Sequence, residues 1–252
     1  MDKIVRLKNK LKNREKIFGI TMSIASHNVV SLLASQDPDF IVLDFEHGPW
    51  NLELVEPILH LCRLKDLPTV VRVQDTVYHL ISKPIDYGAD AIMLPRTESL
   101  QQLKTAVEAL RFHPYGKKGF AGGPIFRENE TFEEIRNNRL LFIQIESPKG
   151  VDNLPDMLDT YGDDIAGVIV GPYDLSIMVG TPLELRSVAV MNQIARITEI
   201  CNSRDKSLGI YCNDEKDAEF WHSKGMNILW VASDMTYMEK GYSAAMHIVR
   251  RL

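Results

Sequence analysis

The sequence predicts a single (β/α)8 barrel formed by residues 1–252. Three observations carry this expectation. The chain has 252 residues, close to the roughly 250 of one such barrel. Short apolar runs alternate with longer helical patterns along its length, the order that gives a parallel sheet clothed in helices. The runs are continuously apolar rather than alternating, as befits strands buried on both faces.

An amphipathic helix comes first. Ile4, Leu7 and Leu11 recur at spacings of three and four among Lys3, Arg6, Lys8, Lys10, Lys12, Arg14 and Lys16, and those charges are expected to form a solvated face. Eight strands are then expected at Phe18–Met22, Phe40–Leu43, Thr69–Val73, Ala91–Leu94, Leu141–Ile145, Gly167–Val170, Ser207–Tyr211 and Ile228–Val231. Helical patterns lie between and after them, at Leu52–Leu64, Val77–Tyr87, Leu100–Phe112, Val188–Asn202, Glu215–Ser223 and Tyr237–Arg250. Two segments break the alternation. Pro114 to Phe132, with Gly116, Gly119, Gly122 and Gly123, is too long for an ordinary connection and reads as an active-site loop. Gly180-Thr181-Pro182-Leu183 is the second.

A net charge of −5 argues against a general nucleic-acid binder. No apolar run approaches the roughly 20 residues of a membrane span, and the basic start lacks the apolar stretch of a signal peptide. Cys62, Cys201 and Cys212 have no CxxC or zinc spacing, so reduced, buried thiols in a cytoplasmic protein are expected.

The chemistry gathers where strands end, since barrel sites form at the C-terminal ends of the strands. Asp44-Phe45-Glu46-His47-Gly48-Pro49 follows one apolar run, Glu146 closes another, and Asp174 follows a third after Gly171-Pro172-Tyr173. Glu146 and Asp174, at successive strand ends without Cys or His partners, suit a hard divalent ion such as Mg²⁺ or Mn²⁺. His47 is the candidate general base, with Asp44 three residues back to orient its ring and Glu46 as another partner. Arg72 lies inside Val70-Val71-Arg72-Val73. A buried guanidinium there calls for an anion, either a substrate oxygen or one of the rim acids. Gly171-Pro172-Tyr173-Asp174 reads as a turn opening a helix whose first amides can receive a carboxylate.

These pieces resemble the HpcH/HpaI family of class II, metal-dependent 2-keto acid aldolases. The resemblance rests on Leu43–Pro49, Val70–Val73, Asp86–Pro95, Gln144–Glu146 and Gly171–Ser176, in the family's order and over nearly the whole chain. It implies Glu146 and Asp174 as metal ligands and Arg72 as the residue that steadies pyruvate and its enolate. It implies His47 with Asp44 as an acid/base dyad, Gln144 and Tyr173 as substrate-side residues, and Asp86 as a residue offered to a neighbouring subunit. Assembly into a homo-oligomer, with a hexamer favoured and the last helix exchanged, is implied as well. The sequence departs from the family at Gly116-Lys117-Lys118-Gly119, where an arginine is usual, and at Thr21, where some members carry a bulky aromatic.

The expected function is reversible cleavage of a 4-hydroxy-2-oxo acid to pyruvate and an aldehyde through a metal-stabilised enolate, with Mg²⁺ or Mn²⁺ favoured over Co²⁺ or Zn²⁺. The alternatives are a citrate-lyase-β-like or malyl-CoA-lyase-like thioester lyase, an oxaloacetate decarboxylase, and a catalytically silent barrel acting as an assembly or regulatory subunit. No Schiff-base lysine is expected, because Lys83, Lys149 and Lys206 all lie outside apolar strands.

Overall fold

The computed structural model describes residues 2–122, 126–127 and 130–252. Eight parallel strands close in chain order. They are β1 (Ile17–Met22), β2 (Phe40–Asp44), β3 (Thr69–Arg72), β4 (Ala91–Leu94), β5 (Leu140–Ile145), β6 (Ile165–Val170), β7 (Leu208–Cys212) and β8 (Ile228–Ser233). The strands agree with the expected ones to within two residues at each end. The helices are α1 (Lys3–Lys12), α2 (His27–Ser35), α3 (Leu52–Leu64), α4 (Tyr78–Asp86), α5 (Leu100–Leu110), α6 (Phe132–Asn138), α7 (Pro148–Tyr161), α8 (Pro172–Met178), α9 (Val188–Asn202), α10 (Glu215–Ser223) and α11 (Asp234–Val249). Side chains cap many of them: Asn51, Ser99, Ser147, Ser187, Asp214 and Ser233 each accept an amide of the first turn, worth about 1 kcal/mol apiece.

The core has two layers. Outward residues such as Leu43, Val71, Ile92, Ile143 and Val168 pack beneath helix residues such as Leu103, Leu154 and Ile194. Inward residues, among them Phe40, Val42, Val70, Met93, Phe142 and Ile169, fill the barrel. Gly19 leaves space for that filling, since a Cβ there would lie 2.2 Å from the Phe40 ring. The N-terminal end is plugged by Ile4, Leu7 and Leu11 of α1, which join the interior cluster. The basic face of α1 is less free than expected. Lys10 Nζ lies 2.7 Å from Asp39 and Lys3 Nζ 2.8 Å from Asp37, which ties the plug to the loop before β2.

The Gly- and Lys-rich segment leaves the end of α5 and runs along α4, from Asp86 at its last residue to Tyr78 at its first. Lys118 is fully buried with its Nζ 2.5 Å from Asp86, and the Gly119 amide donates to Tyr78 Oη (2.8 Å). Further on, Arg127 pairs with Asp90 at the foot of β4 (2.7 Å) and with Asp2 (3.0 Å). Gly123 lies outside the described residues.

The three cysteines are buried and unpaired, and burial pushes each thiol up to about 12. No helix among the described residues is long and apolar enough to cross a membrane. Only the first turn of α11 meets the barrel. Met238, Tyr242, Met246, Ile248 and Val249 are exposed along the rest.

Candidate active site

Side chains alternate along a strand, so the interior of the barrel is read at every second residue. Low in the barrel those positions are apolar. At the C-terminal ends they turn polar: Asp44 follows Val42, Arg72 follows Val70, and Gln144 follows Phe142. Asp44 and Arg72 stand opposite each other in the β2–β3 register. Arg72 Nε donates to Asp44 Oδ1 (2.8 Å), Nη2 to Oδ2 (2.6 Å) and Nη1 to Gln144 Oε1 (3.3 Å). Glu46 Oε2 lies 3.3 Å from Nη1. Burial works against the cation, but Asp44, Glu46 and Glu146 outweigh it and hold the guanidinium charged. A bidentate fork of this kind orients the group as well as neutralising it.

The row continues to Glu146. Gln144 Nε2 donates to Glu146 Oε2 (2.7 Å), and the Arg96 amide donates to Oε1 (2.6 Å). Gly171 makes room for this carboxylate, because a Cβ there would lie 2.0 Å from Oε2. Burial pushes the Glu146 carboxyl up to about 8, opposed by the Arg96 amide and reinforced by the charges of Asp174 and Glu46. Asp174 sits in the first turn of α8 and lines the same cavity, of about 390 Å³, as Asp44, His47, Arg72 and Gln144.

A buried carboxylate destabilised by a second one is what a bound cation would relieve, so the donor set fits a hard divalent ion. Among the described residues no group of three or more His, Cys, Asp and Glu is arranged to hold a metal. An ion here would therefore take its other ligands from water and substrate.

The structure does not bring Asp44 to the imidazole of His47. Asp44 Oδ1 accepts the amides of Glu46 (3.0 Å) and His47 (3.3 Å), and the rest of the carboxylate serves Arg72. The carboxylate nearest the ring is that of Glu46, with Oε2 3.8 Å from Nε2. His47 itself is 65% exposed at the mouth. Burial raises the Glu46 carboxyl, against the pull of Arg72, His47 and Arg96. Asp86 ends α4 on the opposite face, joined to Lys118, and does not meet the other site residues within its own chain. The helix α8 does open at Gly171, but Pro172, its first residue, has no N–H to offer.

Trp230, Tyr211 and Arg96, at the mouth, were not singled out from the sequence. Trp230, inward on β8, lies 5.3 Å from the Arg72 guanidinium, and its indole N–H donates to Thr21 Oγ1 (2.7 Å). An aromatic thus stands beside Thr21, supplied by another strand. Tyr211 meets Trp230 edge-on at 5.1 Å, and Tyr173 donates to Asn213 Oδ1 (2.5 Å). The alternation along Ile228–Val231 and Ser207–Tyr211 would have marked Trp230 and Tyr211 as inward. Arg96, just past β4, was open to the strand-end rule that found Glu146.

Arg72, locked beside the buried Glu146 carboxylate, is equipped to steady a bound anion. The family follows from comparison: the chain belongs to the HpcH/HpaI aldolase/citrate lyase family, whose model matches residues 18–240. The protein is thus a carbon–carbon lyase of the aldolase type. It is similar to a hydroxypyruvate/pyruvate aldolase of Delftia acidovorans, 28% identical over 237 residues that cover 91% of this chain and 87% of the relative. A 2-keto-3-deoxy-L-rhamnonate aldolase of Escherichia coli is 28% identical over 181 residues, 69% of this chain and 67% of that one. A solved HpcH/HpaI aldolase/citrate lyase family structure from Burkholderia cenocepacia matches with a TM-score of 0.89 at 25% identity, over 97% of this chain and 99% of the other.

Proposed function

We propose that the protein is a metal-assisted aldolase that cleaves a 4-hydroxy-2-oxo acid to pyruvate and an aldehyde, and runs the addition in reverse. The observation that carries this reading is the continuous row Asp44–Arg72–Gln144–Glu146, which puts a fixed planar cation beside the buried Glu146 carboxylate. Glu146 and Asp174 would hold the ion, with Mg²⁺ or Mn²⁺ the ions of choice for oxygen donors. When bound, the ion supplies Lewis-acid polarisation of a 2-oxo group.

The chain's own residues do the rest. Arg72, locked by Asp44, presents its guanidinium to the oxygen that gains charge as the C3–C4 bond breaks. Gln144 holds Arg72 and Glu146 at a constant separation. His47, exposed at the mouth, takes the proton of the C4 hydroxyl and returns it to C3 of the enolate to give pyruvate; in the reverse direction it takes the methyl proton and delivers it to the aldehyde oxygen. Tyr173, Tyr211 and Trp230 wall the cavity and limit the water that reaches the enolate. The family description also covers citrate lyase, so a thioester lyase is the second reading, and tight binding of coenzyme A would favour it.

The bare outer face of α11 supports a homo-oligomer in which this helix packs on a neighbour. Asp86, which ends α4, is the residue such a neighbour would receive.

The test is exchange of the pyruvate methyl protons with solvent deuterium, which needs no knowledge of the aldehyde. Exchange should disappear on chelation and return with Mg²⁺ or Mn²⁺. Full-rate exchange in chelated protein would sink the metal assignment, and no exchange with any ion would sink the pyruvate reading.

A further inference from the structure

Arg96 stands two residues beyond β4 with φ at +46°, a left-handed conformation that costs a non-glycine residue about 1 kcal/mol. The bend turns its backbone and side chain toward different neighbours. Its amide donates to Glu146 Oε1 (2.6 Å) and its carbonyl accepts from Gln102 Nε2 (3.1 Å). Its Nη2 donates to the Gln74 carbonyl (2.7 Å), and its Nε lies 3.2 Å from Glu46 Oε1. One residue therefore joins the chain just beyond β2, β3 and β5.

The bond to Glu46 matters most. With Oε1 held by Arg96, Glu46 turns Oε2 to Arg72 Nη1 (3.3 Å) and to His47 Nε2 (3.8 Å). An exposed ion pair contributes little as a rule, and the Arg96 side chain is 58% exposed. Its partner, however, is only 9% exposed, and the Gln74 carbonyl fixes the guanidinium at its other end.

We propose that Arg96 is a positioning residue: it clamps Glu46 and, through it, aims the His47 imidazole at the reacting carbon. The proposal rests on the aldolase reading above.

The experiment compares Arg96→Ala, Arg96→Lys, Glu46→Gln and the double variant Arg96→Ala/Glu46→Gln. Alanine keeps the backbone amide for Glu146 and removes only the clamp. Pyruvate proton exchange should then lose about 10²-fold in kcat, the lower reach of misplacing a proton-transfer group. KM for pyruvate and affinity for the divalent ion should stay within about twofold, and Arg96→Lys should recover part of the rate. Because the clamp acts through Glu46, the double variant should be no slower than Glu46→Gln alone. An Arg96→Ala enzyme at the wild-type rate, or losses that multiply in the double variant, would overturn the proposal. A readout independent of activity is the NMR signal of the His47 ring, which should move in Arg96→Ala and Glu46→Gln alike. An unmoved signal overturns the clamp even if the protein never exchanges pyruvate protons, whereas absent exchange with a moved signal counts against the aldolase reading alone.

Discussion

Glu146 offers a measurable linkage in protein freed of divalent ions. Its folded-state carboxyl sits at about 8, against 4.5 for the same group in solvent. Between those values the folded chain holds a proton that the unfolded chain has released, so stability falls as pH rises from about 4.5 and levels off above about 8. At about 1.4 kcal/mol per unit, the full gap corresponds to about 5 kcal/mol, and about 3 kcal/mol of it is lost by pH 7. Glu146→Gln cannot ionise. It has the shape of the neutral carboxyl and keeps one acceptor for the Arg96 amide, so its stability should lack this slope. Urea unfolding of chelated wild type and variant from pH 5 to 8 tests the reasoning. The wild type should lose about 3 kcal/mol relative to the variant, or roughly 10 °C in Tm for a chain of this size. Divalent ions should restore the wild type, with release of close to one proton near pH 7, and leave the variant unmoved. Parallel stability curves, or ion binding without proton release, would refute the account of Glu146 as an ion-seeking carboxylate.

Three further perturbations have definite expected outcomes. His47→Ala should cut aldol cleavage by roughly 10²–10⁴-fold with little change in stability, whereas Arg72→Lys should weaken pyruvate binding as well and cost about 1–3 kcal/mol in unfolding, because a point charge cannot keep both Asp44 contacts; steady-state kinetics and urea titration separate them, and equal small losses would count against both roles. Truncation after Tyr237, which keeps the part of α11 that packs on the core, should leave the barrel's circular dichroism intact but lower the mass seen by light scattering, and a full-length chain that is a fully active monomer would refute the assembly.

The barrel and much of its mouth were legible in the residues. Continuous apolar runs such as Phe40–Leu43 and Ala91–Leu94 can be satisfied only in a sheet covered on both sides, and their number and spacing leave little besides a closed barrel. Asp44, Arg72, Glu146 and Asp174 stood out because charge beside such a run is costly without a partner. Each of those signals is local, written within a few residues of chain.

Pairing is not local, and there the sequence was silent or misleading. Asp44 and His47 are three residues apart, yet a strand end turns the Asp44 carboxylate inward to Arg72, 28 residues on, and leaves the His47 ring to Glu46. Arg96 meets Glu146 across 50 residues, through a left-handed backbone that no propensity for arginine suggests. Which groups call for a partner, and roughly at which strand ends they lie, can be read along the chain. Which charge answers which depends on the closed barrel, because alternation sets the direction of a side chain while register and closure set what it meets.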